Sequence, residues 1–247
     1  NKLFKTLLTF AVFAISVISF SCVAHAADVE IIPSDDGNIL KIHTEAPGEL
    51  SSIENNKFKY EYDHVKVIGK MDTNDLHCLS RMVHFCKSID LGDAEASEIP
   101  SRRFVCESKL EKFICPSNLK TIGNYCFSDC YNLKKFVFPV SLESIGNNCF
   151  YNCYYLNELV LPQSLQSIGE KCFIFCRHLK LDVPANVKIG KYAFGGSKNV
   201  THGMNPIIWE PENTIEEDKD NKSLIVEEDK DKHKSFISFI TSCFRHQ

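Results

Sequence analysis

Ile122-Gly123-Asn124-Tyr125-Cys126-Phe127-Ser128-Asp129-Cys130-Tyr131-Asn132-Leu133-Lys134-Lys135-Phe136-Val137-Phe138-Pro139-Val140-Ser141-Leu142-Glu143-Ser144 is followed at once by Ile145, which opens the same pattern again. Isoleucines stand at 99, 122, 145 and 168, each 23 residues after the last. A fixed period of roughly 20–50 residues is the mark of a solenoid, in which one small unit is stacked on copies of itself.

Aligning the copies turns them into columns. Ile99, Ile122, Ile145, Ile168 and Ile189 form the first, and Phe104, Phe127, Phe150, Phe173 and Phe194 the second. Leu110, Leu133, Leu156 and Leu179 follow, then Phe113, Phe136 and Leu159, then Cys115, Phe138 and Leu161. Prolines stand at 116, 139, 162 and 184, and Leu119, Leu142, Leu165 and Val187 close each coil. The step from Ile168 to Ile189 is 21 residues, two short of the rest. The piece Leu-x-x-Phe-x-Phe-Pro alternates like a strand with apolar residues turned inward, and its proline ends the strand. The Ile-Gly-x-x-Cys-Phe-x-x-Cys piece has near-helical spacing, which predicts a short helix or 3-10 turn on the opposite side. Each coil then has an apolar interior and two flanks that only stacking can bury. One buried Leu or Phe contributes roughly 1.5–3 kcal/mol, so these columns dominate stability.

These repeats resemble the BspA-like leucine-rich repeats of bacterial, and some protist, surface proteins. That family's form is approximately Leu-x-x-Ile-Gly-x-x-Ala-Phe-x-x-Cys-x-x-Leu-x-x-Ile-x-Leu-Pro. Tyr192-Ala193-Phe194 keeps the Ala-Phe pair, whereas Cys126, Cys149 and Cys172 replace that alanine elsewhere. The stretches Val65–Met71, Asp75-Leu76 and Ile89–Ala94 resemble the N-terminal region of such proteins from Bacteroidetes. The resemblance implies an α/β leucine-rich-repeat solenoid of about four to five coils with an α/β N-terminal cap. It implies placement outside the cell and brings no shared catalytic residues.

The cap is also readable from the residues themselves. Val65–Lys70 alternates like a strand, Leu76, Leu79, Met82, Val83 and Cys86 are spaced as on an amphipathic helix over 75–87, and Ser88–Leu91 reads as a returning strand. An atypical terminal unit of this kind covers the exposed end of a solenoid. Two further strands are expected around Glu30–Ile32 and Asn38–Ile42, and a short helix near Ser51–Ile53. His77 and His84 lie seven apart near Cys78 and Cys86, but no Cys-x-x-Cys or His/Cys quartet of zinc spacing accompanies them, so no metal site is assigned.

Residues 1–26 read as a signal peptide. Lys2 and Lys5 precede a nearly continuous apolar run from Leu7 to Phe20, and Ala24-His25-Ala26 supplies a small-x-small cleavage pattern. A retained anchor and a lipoprotein lipidated at Cys22 are the alternatives; all three place the chain outside the cytoplasm. The division is therefore signal peptide at 1–26, cap at 27–97, repeats at 98–200 and a charged tail at 201–247. Residues 210–234 carry ten acidic residues against five lysines, a composition that favours disorder. The net charge of −4 and the lack of a basic cluster argue against nucleic acid as a partner.

Twelve cysteines invite a disulfide or metal reading. Six of them form two ladders, 126/149/172 and 130/153/176. Neighbours in a ladder sit one strand spacing apart, about 4.8 Å, near enough for disulfides in an exported protein, yet buried thiols that pack as small hydrophobes explain both ladders.

No Gly-x-Ser-x-Gly, metal motif or carboxylate pair is present, so no catalytic residue and no cofactor is assigned. Candidate binding residues lie between the core positions. On the strand side Ile114, Val137 and Val160 point outward, bordered by Lys112, Lys135 and Glu158. A second row holds Tyr131, Tyr154, Tyr155, Arg177 and His178. The function expected is non-catalytic binding or adhesion, secreted or at the cell surface, with a protein or glycan ligand that includes host molecules, and with no membrane span after signal cleavage. The alternative is a structural component of the cell envelope with no specific ligand.

Overall fold

The structure is a computed structural model and describes residues 27–53, 62–197, 199–203 and 205–206. The expected signal segment and the acidic tail lie outside the described residues. At the N-terminal end, β1 (Asp28–Ile32) pairs antiparallel with β2 (Ile39–Thr44), and β2 pairs parallel with β3 (His64–Lys70). Helix α1 (Thr73–Met82) crosses over to β4 (Ser88–Glu95), which lies parallel to β3.

Asp72 caps α1. Its carboxylate accepts the N–H groups of Asn74 and Asp75, while Asp75 reaches back to Asp72 N at 2.9 Å. This reciprocal box satisfies donors that a helix start leaves unpaired. Asp75 is fully buried and also accepts Gly48 N at 2.7 Å and Leu50 N at 2.9 Å. It thereby pins the 3-10 turn Glu49–Ser52 to the helix. The helix stops at Met82, five residues before the expected end, because the chain must turn to enter β4; Cys86 N bonds Val83 O at 2.9 Å in that turn. Val83 and Cys86 remain buried, so their apolar spacing reflects the core and not a longer helix.

The strand side of the solenoid continues directly from β4. It contains β6 (Lys112–Ile114), β8 (Lys135–Val137) and β10 (Glu158–Leu159), all parallel, in one seven-stranded sheet ordered β1-β2-β3-β4-β6-β8-β10. Opposite runs a second parallel sheet of two-residue strands: β5 (Glu98–Ile99), β7 (Thr121–Ile122), β9 (Ser144–Ile145), β11 (Ser167–Ile168) and β13 (Lys188–Ile189). Beyond β10 come β12 (Lys180–Val183), β14 (Asn199–His202) and β15 (Asn205–Pro206) in a separate sheet.

Two expectations are corrected here. The side opposite the strands is not helical: after each short strand the chain runs through turns. Residues of positive φ recur at two positions per coil, Arg102, Tyr125, Asn148, Lys171 and Tyr192 at one, and Cys106, Asp129, Asn152 and Phe175 at the other. A left-handed residue breaks a right-handed helix. The N–H groups that a helix would use turn to the next coil instead: Tyr125 N bonds Asn147 O, Phe127 N bonds Cys149 O and Asp129 N bonds Tyr151 O, all at 2.8–2.9 Å. The repeat region is thus a β-solenoid, with α1 confined to the cap. The coil count is about six rather than four to five, because β4 and β14 carry the strand side one coil further at each end without the full repeat signature.

The core holds two interleaved phenylalanine stacks. Phe104, Phe127, Phe150, Phe173 and Phe194 stack face to face at 5.0–5.5 Å, with planes within 11°. Phe113 and Phe136 stack at 5.2 Å and meet the first column edge-on. Both cysteine ladders are fully buried, and all ten described cysteines are free thiols. Cys130, Cys153 and Cys176 each donate to the carbonyl of a phenylalanine in the preceding coil at 3.0–3.1 Å. In the last coil Ser197 takes over the column and bonds Phe173 O.

The glycines that follow Ile122, Ile145, Ile168 and Ile189 have a steric reason. A Cβ on Gly146 would lie 2.7 Å from Asn124 N, and one on Gly169 2.5 Å from Asn147 N. These contacts are backbone to backbone between coils and cannot be relieved by a rotamer change. Gly146→Ala is expected to cost about 2–3 kcal/mol through forced separation of the coils. Gly92→Ala, whose Cβ would meet only the Asp90 carboxylate and an Ile114 methyl at 3.2–3.3 Å, is expected to cost under about 1 kcal/mol. Urea unfolding midpoints of the two variants check this.

Candidate functional site

The strand side brings most of the predicted residues together. Lys112 stands opposite Lys135, and Ile114 opposite Val137. Glu158 heads β10 with its backbone opposite Lys135. Phe113 and Phe136 point inward, so Lys112, Ile114, Lys135 and Val137 face out by the two-residue period of a strand. Ile114 is half-buried and Val137 is 37% exposed. Val160 departs from the expected position: it lies one residue past β10, has no partner on β8, and is 81% exposed. Val140, 87% exposed, adds an apolar residue that was not among the expected ones. Its signal was present, since the corresponding residues after proline, Ser117 and Gln163, are polar. A cross-coil ion pair, Lys134 with Glu111 at 2.8 Å, precedes β6 and β8 on this side, and another, Lys120 with Glu143 at 3.2 Å, precedes β7 and β9 on the opposite sheet.

The tyrosine row occupies the corner that leads into the strands. Tyr154 packs edge-on to Tyr155 at 4.9 Å, Tyr155 stacks on His178 at 5.5 Å, and the Arg177 guanidinium lies 5.8 Å from the Tyr154 ring centre. Tyr131 is tied into a polar network instead. Its hydroxyl donates to Asp129 at 3.3 Å, and Asn152 donates to the same carboxylate at 3.1 Å. Burial and then the Asp129 carboxylate push the Tyr131 phenol up, so it stays a neutral donor. Tyr131 and Tyr154 therefore belong to one ridge but have different surroundings.

At the cap, the first coil places Arg103 and Glu107 where later coils place cysteines. Arg103 Nη1 lies 3.0 Å from His77 Nδ1, and His84 Nδ1 lies 3.0 Å from the buried Glu107 Oε1, outside hydrogen-bond geometry. His77 and His84 thus face different partners across the cap–coil junction. Among the described residues no group of three or more His, Cys, Asp or Glu is arranged to hold a metal. Burial holds Cys126, Cys130, Cys149, Cys153 and Cys172 neutral, pushing Cys126 up to about 12 and raising the others. A thiol must ionise to act as a nucleophile, so these cysteines serve packing.

Residues 84–201 match the model of the BspA type leucine rich repeat region in six copies. The repeat region belongs to the BspA-type leucine-rich-repeat family. No curated protein matches the chain. Among solved structures, the chain is similar to a leucine-rich-repeat protein of T. pallidum, with 21% identity over 70% of this chain and 67% of that one, at a TM-score of 0.42. A leucine-rich-repeat protein from Eubacterium ventriosum shows 17% identity over 73% of this chain and 43% of that one, at a TM-score of 0.41. A leucine rich cell surface protein from Faecalibacterium prausnitzii shows 16% identity over 73% of this chain and 55% of that one, also at 0.41. The BspA-type chain thus spans about two thirds of the first and about half of the other two. Among its described residues no helix is long and apolar enough to cross a membrane.

Proposed function

We propose that this BspA-type chain is a non-catalytic recognition module, secreted or held at the cell surface, that binds a protein or glycan through its strand side. The observation that carries this reading is the outward row of Ile114, Val137 and Val160, with Val140 beside it. Val137, Val160 and Val140 are exposed by 37%, 81% and 87%. Exposed apolar residues with lysines beside them suit a binding surface, and repeat solenoids present such surfaces on their extended faces. The apolar stretch at 7–20 and the cell-surface description of the Faecalibacterium neighbour support placement outside the cell.

The test is a binding screen of the exported chain against matrix proteins and glycans. Val137→Glu with Val160→Glu is expected to weaken binding by about tenfold or more while the circular dichroism and urea midpoint stay unchanged, because surface substitutions of this kind cost little stability. Undiminished binding by the double variant moves recognition to the tyrosine ridge. No ligand from the screen favours the envelope-component reading.

A further inference from the structure

The first coil departs from the repeat where it meets the cap. Cys130, Cys153 and Cys176 each send a thiol to a phenylalanine carbonyl of the preceding coil. The corresponding residue of the first coil, 23 positions before Cys130, is Glu107. Its side chain meets the cap instead of another repeat, and it is only 3% exposed. A carboxyl group thus stands where later coils pack neutral thiols. A buried carboxylate is costly unless a counter-charge lies beside it. Among the described residues the side chain that pairs with this one is His84, whose Nδ1 lies 3.0 Å from Oε1. His84 sits in the turn between α1 and β4 and is 48% exposed, so its ring exchanges protons with solvent while Glu107 stays enclosed. Glu107 Oε1 accepts no hydrogen bond, so a neutral imidazole leaves the carboxylate uncompensated and only the charged ring offsets it.

The other groups around the pair do not supply that charge. Cys86 of the cap and Cys130 of the second coil face Glu107, and burial holds both neutral. Asp63 faces Cys86 and is paired with Lys87 at 3.3 Å. Lys109 lies over the Phe85 ring. The Arg103 guanidinium is 3.0 Å from His77 Nδ1 and makes no ion pair among the described residues. We propose that His84 and Glu107 form a pH-sensitive latch between the cap and the first coil, closed while His84 carries its proton and weakened as that proton leaves.

The direction of the response follows from the partner. The folded chain holds the His84 proton beside Glu107, and the unfolded chain offers no such neighbour. The latch therefore contributes fully below the ordinary histidine value of about 6.5 and is lost as pH rises past it. His77 works in the opposite sense. Arg103 carries donors only, so its bond to His77 Nδ1 needs that nitrogen unprotonated and is lost as pH falls. The turn that carries His84 leads into β4, whose Ser88, Ile89 and Asp90 pair with β6. The latch thus secures the edge at which the cap joins the repeats, whichever surface binds a ligand.

The test follows the full chain by urea unfolding and by NMR titration of the His84 ring. From about pH 5.5 to about pH 8 the unfolding constant of the native chain is expected to rise at least about threefold more than that of Glu107→Gln. The His84 midpoint is expected to fall on the same substitution. Glu107→Cys serves if Glu107→Gln does not fold, because later coils already pack cysteine in this column. His84→Gln is expected to flatten the pH dependence as Glu107→Gln does, whereas His77→Gln is expected to keep the loss on the alkaline side. Two results overturn the inference: the Glu107 variants retain the native pH dependence, or the His84 midpoint is the same in the native chain and in those variants.

Discussion

Phe150→Ala is expected to be the most damaging single truncation, costing about 3–5 kcal/mol and lying at the upper end of that range. Phe150 is fully buried at the middle of the five-membered column. It stacks on Phe127 at 5.5 Å and on Phe173 at 5.0 Å, and meets Phe136 edge-on at 4.8 Å. Alanine removes these contacts and the edge-on contact with Phe138 at 6.0 Å, each worth about 0.5–1.5 kcal/mol beyond area burial. The hole cannot collapse, because each coil is held to the next by backbone hydrogen bonds on both sides of it. In a solenoid each unit touches only its neighbours, so position along the column sets the cost. Phe194 closes the column and stacks on Phe173 alone among the described residues, at 5.4 Å. Phe194→Ala is expected to cost about half as much as Phe150→Ala. Urea unfolding of both variants decides it, and equal losses would show that the coils do not act as a nearest-neighbour stack. Against a typical total stability of about 5–15 kcal/mol, the Phe150 variant is expected to be substantially unfolded at 37 °C.

This hierarchy was legible in the sequence because core positions recur. The isoleucine, phenylalanine and leucine columns are buried as their alignment required, except that Ile189 in the last coil is half-buried, and the period alone pointed to a solenoid. The turns were not legible. The Ile-Gly-x-x-Cys-Phe spacing is compatible with a helix, and the choice against it is made by the neighbouring coil, which takes up the N–H groups of Tyr125, Phe127 and Asp129. Asn148, Asp129 and Asn152 are residue types that tolerate positive φ, but Tyr125, Lys171 and Phe175 carry no such signal. The outward positions of Lys112, Lys135, Ile114 and Val137 followed from the strand period, and Val160 is exposed as expected although it lies one residue past β10. The two-residue deficit was visible in the spacing; that β12 pairs with β14 and leaves the sheet of β10 was not.

The second large effect is alkaline. A thiol whose folded value is raised binds its proton in the folded chain after the unfolded chain has released its own. Stability from such a group is complete below the ordinary value near 9.0 and is lost as pH rises toward the folded value, about 12 for Cys126. Within that window each such thiol contributes a loss of about 1.4 kcal/mol per pH unit. Burial raises Cys115, Cys130, Cys149, Cys153 and Cys172 in the same direction. The folded chain is therefore expected to lose several kcal/mol between about pH 9 and 11, and to unfold there while still stable at pH 7. A variant isolates the contribution of the ladder. Ala193 occupies the position of Cys126, Cys149 and Cys172 in the last full coil and is itself buried. The fold thus already accommodates alanine in that column. The triple variant Cys126→Ala, Cys149→Ala, Cys172→Ala gives up some packing at pH 7 but removes three of these protons. Urea midpoints taken from pH 8 to 11 are expected to fall less steeply with pH than those of the native chain, by up to about 4 kcal/mol per pH unit. Equal slopes would mean that the alkaline transition comes from other groups and that the ladder thiols ionise freely.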